Sequence, residues 1–450
     1  MTTTLKRPPA TSRRERARVI TASTVGTTIE FYDFYVYATA AVAVFPVLFF
    51  PDVGSSFVNL MASFATFGLA FVARPLGSVI FGHFGDKVGR KHSLVFALLT
   101  MGIATFIIGL LPTYEQIGFL APLLLALMRF GQGIGLGGEW SGAALLAGEN
   151  AASGKRAQAA MWPQLGAPFG FFLANGLFLI LVTAFDEAPT DPGGAFLQWG
   201  WRVPFLASAI MVAIGLWVRF KLDETPVYTH SVAQGKRASA PLRDVFTKAW
   251  RPVIAGTFIM VGCYTLFYLV TTWILSFGIE DPESGAGLGF AYEDFLKVQL
   301  VTVVAFMVGI PLAGWCADRF GRKPTLLVTT LGILAFSFTF ELFLAPENAS
   351  LASVGVFLGI GMFLMGLIFG PMAIVLPELF PTAIRYTGSG IAYNLSAILG
   401  AAVAPLIATQ LVYSFGVGAV GLYLAIAAGA SLVAIFMMRE TRSTALEDIE

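Results

Sequence analysis

The chain has 450 residues, of which 56% are hydrophobic and only 12% charged, with a formal net charge of +1. Together with a mean hydropathy of +0.77, this balance excludes an ordinary soluble domain, and a near-neutral chain has no basic excess for nucleic acid. The solvent that fits is a lipid bilayer.

Residues 1–18 are polar and basic, with Lys6, Arg7, Arg13, Arg14, Arg16 and Arg18, and read as a tail. The apolar run behind them is too long for a cleaved signal peptide, so the first helix is expected to be retained. Twelve apolar stretches long enough to cross the bilayer as helices follow one another, at 19–49, 57–83, 93–111, 119–148, 157–183, 202–220, 252–278, 295–315, 324–345, 351–376, 387–412 and 416–438. They divide into a six-helix bundle at 19–220, a polar basic linker at 221–251 and a second six-helix bundle at 252–438, with a short tail at 439–450. Lysine and arginine gather in the tails, the linker and alternate loops; the other loops carry Asp52, Glu115, Asp186, Glu187, Asp191, Glu280, Asp281 and Glu347. By the positive-inside rule both termini are cytoplasmic.

The chain also repeats itself. GHFGDKVGRK at 82–91 returns as GWCADRFGRK at 314–323, matching Gly82 with Gly314, Asp86 with Asp318, Gly89 with Gly321, Arg90 with Arg322 and Lys91 with Lys323. Glu149 and Arg156, after the fourth apolar stretch, are echoed by Glu378 and Arg385 after the tenth. A six-helix unit used twice in parallel is the plan of major facilitator transporters, which hold cargo near the midplane between the halves.

The duplicated loop, G-x-x-x-D-[RK]-x-G-R-[RK], resembles the signature loop of the major facilitator superfamily. With IEFYDFYVYA at 29–38, RPLGSVIFGHFGDKVGRK at 74–91, RFGQGIGLGGEW at 129–140, WGWRVPF at 199–205 and PELFPTAIRYTG at 377–388, the chain resembles the metabolite:proton symporter family over almost its whole length. The resemblance implies an all-α membrane protein: twelve transmembrane helices in two six-helix pseudo-symmetric bundles. It implies proton-coupled symport by alternating access in the inner or plasma membrane, since known members move shikimate, α-ketoglutarate, citrate, or proline and betaine. The expected partners are protons, a small organic acid or zwitterion, and the bilayer, with the chain a monomer. A uniporter or exchanger on the same fold and a transporter-like nutrient receptor are the alternatives.

A charge in hydrocarbon costs roughly 2.5 to 3.5 kcal/mol on insertion scales and marks a functional position by default. Glu30, Asp33, Arg74, Arg129 and Glu139 are such charges, and all lie in the first half. At about 1.5 Å per residue, Asp33 sits roughly 20 Å into its helix and Arg129 roughly 15 Å from the opposite face, so their depths nearly coincide. An Asp on helix 1 facing an Arg on helix 4 resembles the proton-coupling pair of related sugar symporters, which places the proton on Asp33, with Glu30 as the alternative; helices 7–12 offer no buried basic residue, so a cargo carboxylate is expected to find its cation at Arg129 or Arg74. Glu30 can pair with Arg74 on helix 2, as a static ion pair or as part of the site; Glu30, Asp33 and Tyr37 share a helix face.

The polar residues Gln132, Gln164, Asn175, Tyr264, Tyr268 and Asn394, with Trp273 and Tyr393 nearby, complete a candidate cargo set. In the superfamily, loops like those carrying Asp86, Arg90, Asp318 and Arg322 close the cytoplasmic side with the Glu and Arg after helices 4 and 10, here Glu149, Arg156, Glu378 and Arg385.

Enzyme signatures are missing. Gly133, Gly135 and Gly138 fit G-x-G-x-x-G, yet the run lies inside one apolar segment, with no strand before it and no carboxylate where a ribose would need one. The spacings Gly131/Gly135, Gly133/Gly137 and Gly138/Gly142 read instead as close helix packing in lipid. GENAASGKR at 148–156 misses the Walker A spacing. Cys263 and Cys316 offer no disulfide framework, and His83, His92 and His230 have no ligand spacing, so no catalytic group, metal or cofactor is expected.

Overall fold

The computed structural model describes residues 13–51, 54–88, 90–137, 151, 154–186, 189, 191, 193–220, 245, 247–284, 286–381 and 384–444, apart from the side chains of 13–19, 82–91 and 219. Among these residues the secondary structure is helical throughout. In the first half, α1 spans Arg13–Ala43, α2 Ser56–Val88, α3 Arg90–Ile108 and α4 Leu120–Leu136. Arg156–Gln164 and Gly166–Phe185 together form α5, and α6 is Arg202–Phe220.

In the second half, α7 runs from Trp250–Tyr268 through a π-turn at Leu269–Trp273 into Ile274–Ile279. Then α8 is Tyr292–Phe320, α9 Arg322–Ser337 and α10 Leu351–Val375. Arg385–Ala397 leads through a π-turn at Ile398–Ala402 into Ala404–Phe415 as α11, and α12 is Val417–Met437. Eight of these helical stretches are apolar and long enough to cross a membrane. Of the other four, α3, α4 and α9 are shorter and α1 carries Glu30 and Asp33 at its centre.

The two halves repeat their packing. α1 packs on α5 and α6 as α7 packs on α11 and α12, α2 packs on α4 as α8 packs on α10, and α3 packs on α6 as α9 packs on α12. Glycine sets the spacing at the tightest of these crossings. A Cβ at Gly133 would collide with Ala70 and Ala73 of α2, and one at Gly137 with the Arg74 carbonyl; on the other side of α4, Gly135 meets Ala97 and Met101 of α3. Gly133, Gly135 and Gly137 therefore form a slot for two neighbouring helices, as the spacing by four predicts, whereas Gly131 makes only an ordinary contact with Ala104 and Gly138 and Gly142 lie outside the described residues. Gly309 of α8 and Gly366 of α10 meet face to face in the other half.

Between the halves, α5 packs on α8 and α10, α2 on α11, and α1 on the outer part of α7. The midplane of this seam is aromatic: Phe31 lies 6.2 Å from Phe267 and from Phe369, Tyr35 5.9 Å from Phe267, Phe34 5.7 Å and Phe71 5.4 Å from Tyr268. Such ring pairs each add about 0.5–1.5 kcal/mol beyond their buried area, so the halves meet in a sizeable apolar contact through the centre.

Candidate functional site

Inside that seam the first half buries its charges. Asp33 is 1% exposed and Arg129 fully buried, yet the two do not touch. The Thr105 hydroxyl of α3 donates to Asp33 Oδ2 at 3.0 Å, Gln132 Nε2 donates to Thr105 Oγ1 at 2.7 Å, and Arg129 Nη1 donates to Gln132 Oε1 at 3.0 Å. Two neutral side chains thus stand between a carboxylate and a guanidinium that were expected to face each other directly. Asp33 Oδ1 and Arg129 Nη2 are both buried without a hydrogen-bond partner, an arrangement that folding alone does not favour.

Arg129 is held by aromatic faces as well. Its guanidinium carbon lies 4.0 Å from the Tyr37 ring centroid, 4.7 Å from Phe34 and 5.0 Å from Phe67, and its Nε donates to the Phe67 carbonyl at 3.3 Å. Tyr37 is thereby a platform for Arg129, and its own hydroxyl is tied to Thr66 Oγ1 at 2.9 Å. Arg74 shares the Phe34 ring, 5.5 Å from its centroid, and lies 5.0 Å over Phe71; its Nε is buried with no hydrogen-bond partner. Glu30, one turn from Asp33, is electrostatically coupled to Arg74, Tyr268 and Tyr393. Asp33 is turned into the first bundle by Thr105, whereas Glu30 lies nearer Arg74 and the phenols of the seam.

The second half answers with rings and amides. Tyr264 stacks on Tyr268 with centroids 6.3 Å apart and packs against Tyr393 at 5.4 Å. The π-turn below Tyr268 widens the helix, and Gln299 of α8 donates to the Thr271 carbonyl inside it at 2.9 Å; Trp273 stacks on Phe277 at 5.1 Å. Gln164 of α5 reaches across to the Phe369 carbonyl at 3.0 Å, and Asn175 accepts from Thr39 at 2.6 Å within the first half. Asn394, expected among cargo ligands, donates here to Ser78 Oγ at 2.9 Å, and Ser78 donates on to the Gly137 carbonyl. That places Asn394 in a tie between α11, α2 and α4, one helical turn along α2 from Arg74 toward its loop end.

At the loop end of the seam a second charged cluster joins the halves. Asp318 accepts from the backbone N–H of Ala157 at 3.1 Å and of Gln158 at 2.9 Å, so an acid of α8 caps the first turn of α5 in the opposite half. Arg322 pairs with Asp318 at 3.1 Å and with Glu378 at 3.2 Å, and Arg156 crosses from the first half to Glu378 at 3.1 Å. The Thr441 hydroxyl donates to Glu378, and Arg156 Nη2 donates to the Thr444 carbonyl at 2.7 Å. Glu440 accepts from the N–H groups of Arg322 at 3.0 Å and Lys323 at 2.9 Å, capping α9. Burial pushes the Glu378 carboxyl above its ordinary range, against the opposing pull of Arg322, Thr441 and Arg156.

Arg385 Nε donates to the Pro377 and Phe380 carbonyls of its own half. Glu139 and Glu149 lie outside the described residues, as do the side chains of Asp86 and Arg90. Sequence reasoning passed over Thr105, Ser78, Glu440 and Thr441. The first two are small hydroxyls in apolar helices, indistinguishable by pattern from threonines such as Thr27 that only bond their own backbone. The tail residues carry no periodic signal.

Comparison with known proteins fits this architecture. The family model described as Major Facilitator Superfamily matches residues 25–398 and 298–449. The chain is 52% identical over 432 residues to the inner membrane metabolite transport protein YhjE of Escherichia coli K12, covering 96% of each chain. It is 37% identical to the shikimate transporter of the same organism, covering 90% of this chain and 89% of that one. Among solved structures it is similar in fold to the proton:xylose symporter XylE, with a TM-score of 0.74 at 18% identity over 96% of this chain and 98% of the other.

Proposed function

The chain belongs to the Major Facilitator Superfamily, a multi-pass membrane transporter and not an enzyme, and on that premise we propose that it takes up a small organic acid or zwitterionic metabolite in symport with protons. The observation that carries this reading is the pair of unsatisfied buried atoms, Asp33 Oδ1 and Arg129 Nη2, at the two ends of one hydrogen-bonded chain. A buried guanidinium with an idle donor suits a carboxylate, and a buried carboxylate with an idle acceptor suits a proton. Cargo neutralises Arg129, the cation that balances Asp33, and a proton on Asp33 restores neutrality. Reorientation of the loaded or empty carrier then moves both species together.

In this reading Arg74, Glu30, Tyr264, Tyr268 and Tyr393 complete the cargo wall. Asp318, Arg322, Glu378 and Arg156 hold the cytoplasmic side shut, and both termini face the cytoplasm of a cell whose inner membrane holds the carrier as a monomer. Similarity to a protein named shikimate transporter supports a carboxylate cargo.

The test is uptake into proteoliposomes, after a thermal-shift panel of shikimate, α-ketoglutarate, citrate and betaine on the purified protein. A stabilising compound enters faster, and against its own gradient, when the outside is acidified. In Asp33→Asn accumulation disappears while exchange of internal for external compound persists. Uptake indifferent to the pH gradient would make the protein a uniporter or exchanger; accumulation by Asp33→Asn at the wild-type level would move the proton to Glu30.

A further inference from the structure

The bridge between Asp33 and Arg129 has a direction that elementary chemistry dictates. A guanidinium only donates and an ionised carboxylate only accepts, so the Gln132 amide must turn its oxygen to Arg129 and its nitrogen to Thr105, and Thr105 must give its hydrogen to Asp33. The distances of 3.0, 2.7 and 3.0 Å follow that order. Yet Thr105 Oγ1 also lies 3.0 Å from the Met101 carbonyl, and one hydroxyl hydrogen serves one acceptor well. Once Asp33 is protonated it can donate to Thr105 itself, and the Thr105 hydrogen is released to Met101.

We propose that Thr105 and Gln132 are the positioning relay through which Asp33 and Arg129 sense each other, the Thr105 hydroxyl turning from Asp33 to the Met101 carbonyl when the carboxyl gains a proton. The inference rests on the reading of Asp33 as the proton site. It accounts for two otherwise idle features: a coupling pair separated by two side chains, and a threonine with two equidistant acceptors. With every bond running from cation to anion, each polarises the next. Cargo bound at Arg129 weakens the donor end, and the carboxylate end feels it through the relay.

Few other charges compete. Arg74 from α2 and the phenols Tyr264 and Tyr268 from α7 and Tyr393 from α11 lie on the seam side with Glu30, and Tyr32 beside Asp33 is held by the Pro204 carbonyl at 2.8 Å. Among the described residues α3, α5 and α6 bring no charged group to this depth.

The relay is tested without cargo, by infrared titration of the purified protein in lipid. The carboxyl band of Asp33 is identified as the one that Asp33→Asn removes. Thr105→Val keeps the branched shape and deletes the donor to the carboxylate, so the band should titrate about one pH unit higher, the equivalent of one charge-assisted hydrogen bond. Thr105→Ser should titrate as wild type. Gln132→Leu cuts the chain one link further away and should move the midpoint in the same direction by less; it carries the test if Thr105→Val does not fold. Wild-type midpoints in both Thr105→Val and Gln132→Leu overturn the relay while leaving Asp33 as the proton site. Absence of any band that depends on Asp33 overturns the proton-site reading, and the relay with it.

Discussion

The two halves share a packing plan and divide the chemistry. At the midplane the first half buries Glu30, Asp33, Arg74 and Arg129, whereas the corresponding depth of the second half holds Tyr264, Phe267, Tyr268 and Tyr393. At the loop end the described charges are mostly those of the second half, Asp318, Arg322 and Glu378, with Arg156 the contribution of the first. Each bundle can repack its helices in the same way because glycine contacts and apolar ridges set the crossings, and those do not depend on which polar groups line the seam. The shared scaffold thus leaves the polar residues free to differ: at the midplane the first half carries the ions and the second a neutral aromatic wall, while at the loop end the second half supplies most of a charged clamp.

The largest effect that could break this division comes from its centre. Arg129→Ala removes the cation whose Nη2 is idle and leaves Gln132 and the Phe67 carbonyl without their donor. A charged hydrogen bond of about 1.5–3 kcal/mol, with its buried partners orphaned, converts to a loss of cargo affinity on the order of a hundredfold, measured by isothermal titration with the compound that stabilises the wild type. Tyr268→Phe, at the same depth in the second half, should cost only a few-fold. Equal losses in the two variants would mean that the midplane chemistry is shared by both halves.

Much of this was legible in the sequence because lipid punishes charge so heavily. A buried Glu30, Asp33, Arg74 or Arg129 stands out in an apolar run, and a repeated Asp and Arg in two loops stands out by register. The glycines of α4 were readable as packing for the same reason, since spacing by four has one strong meaning between helices in lipid. What stayed hidden was the polar connection between helices. That Asn394 would bond Ser78, and that Thr105 and Gln132 would separate Asp33 from Arg129, depends on helix rotation and approach, which depth alone does not set. Nor does composition reveal that Glu440 and Thr441, just past α12, fold back on the clamp.

The clamp itself offers the next two effects, which sharpen the comparison by separating closure from binding. Glu378→Gln deletes the anion shared by Arg322 and Arg156, leaving two guanidiniums at the loop end of the seam poorly compensated. Breaking buried ion pairs is costly, so maximal uptake should fall by about tenfold, as expected for a shift of roughly 1.4 kcal/mol in the closing equilibrium, while the affinity measured by titration stays within about twofold. Asp318→Asn retains one acceptor oxygen for the Ala157 and Gln158 N–H groups, turns an amide NH2 toward the other, and loses the ion pair with Arg322 along with the charge at the helix start. Arg322 keeps its pair with Glu378, so a slowing of about fivefold is expected from a loss of about 1 kcal/mol. Asp86→Asn should slow transport similarly if the first repeat works like the second; unchanged rates in both aspartate variants would remove the loops from the gate.

The smallest effect lies where the two chemistries meet. Asn394 of the second half holds Ser78 of the first, and Ser78 passes the bond on to Gly137 at the end of α4, the helix that carries Arg129. Ser78→Ala deletes one neutral hydrogen bond across the seam, which at about 0.5 kcal/mol, the low end for a neutral pair, should shift the closed-to-open balance at the clamp end by roughly two- to threefold. Ala160, fully buried on α5 between the clamp and Gln164, is a suitable reporter. As Ala160→Cys in a chain lacking Cys263 and Cys316, it is labelled by an impermeant maleimide in inside-out vesicles only when the seam opens. Labelling should accelerate by that factor in Ser78→Ala, with cargo affinity unchanged because the serine touches neither Arg129 nor Arg74 through its hydroxyl. A labelling rate equal to that of the parent would show that closure rests on the charged clamp alone and that the Asn394 contact merely fills a polar gap between helices.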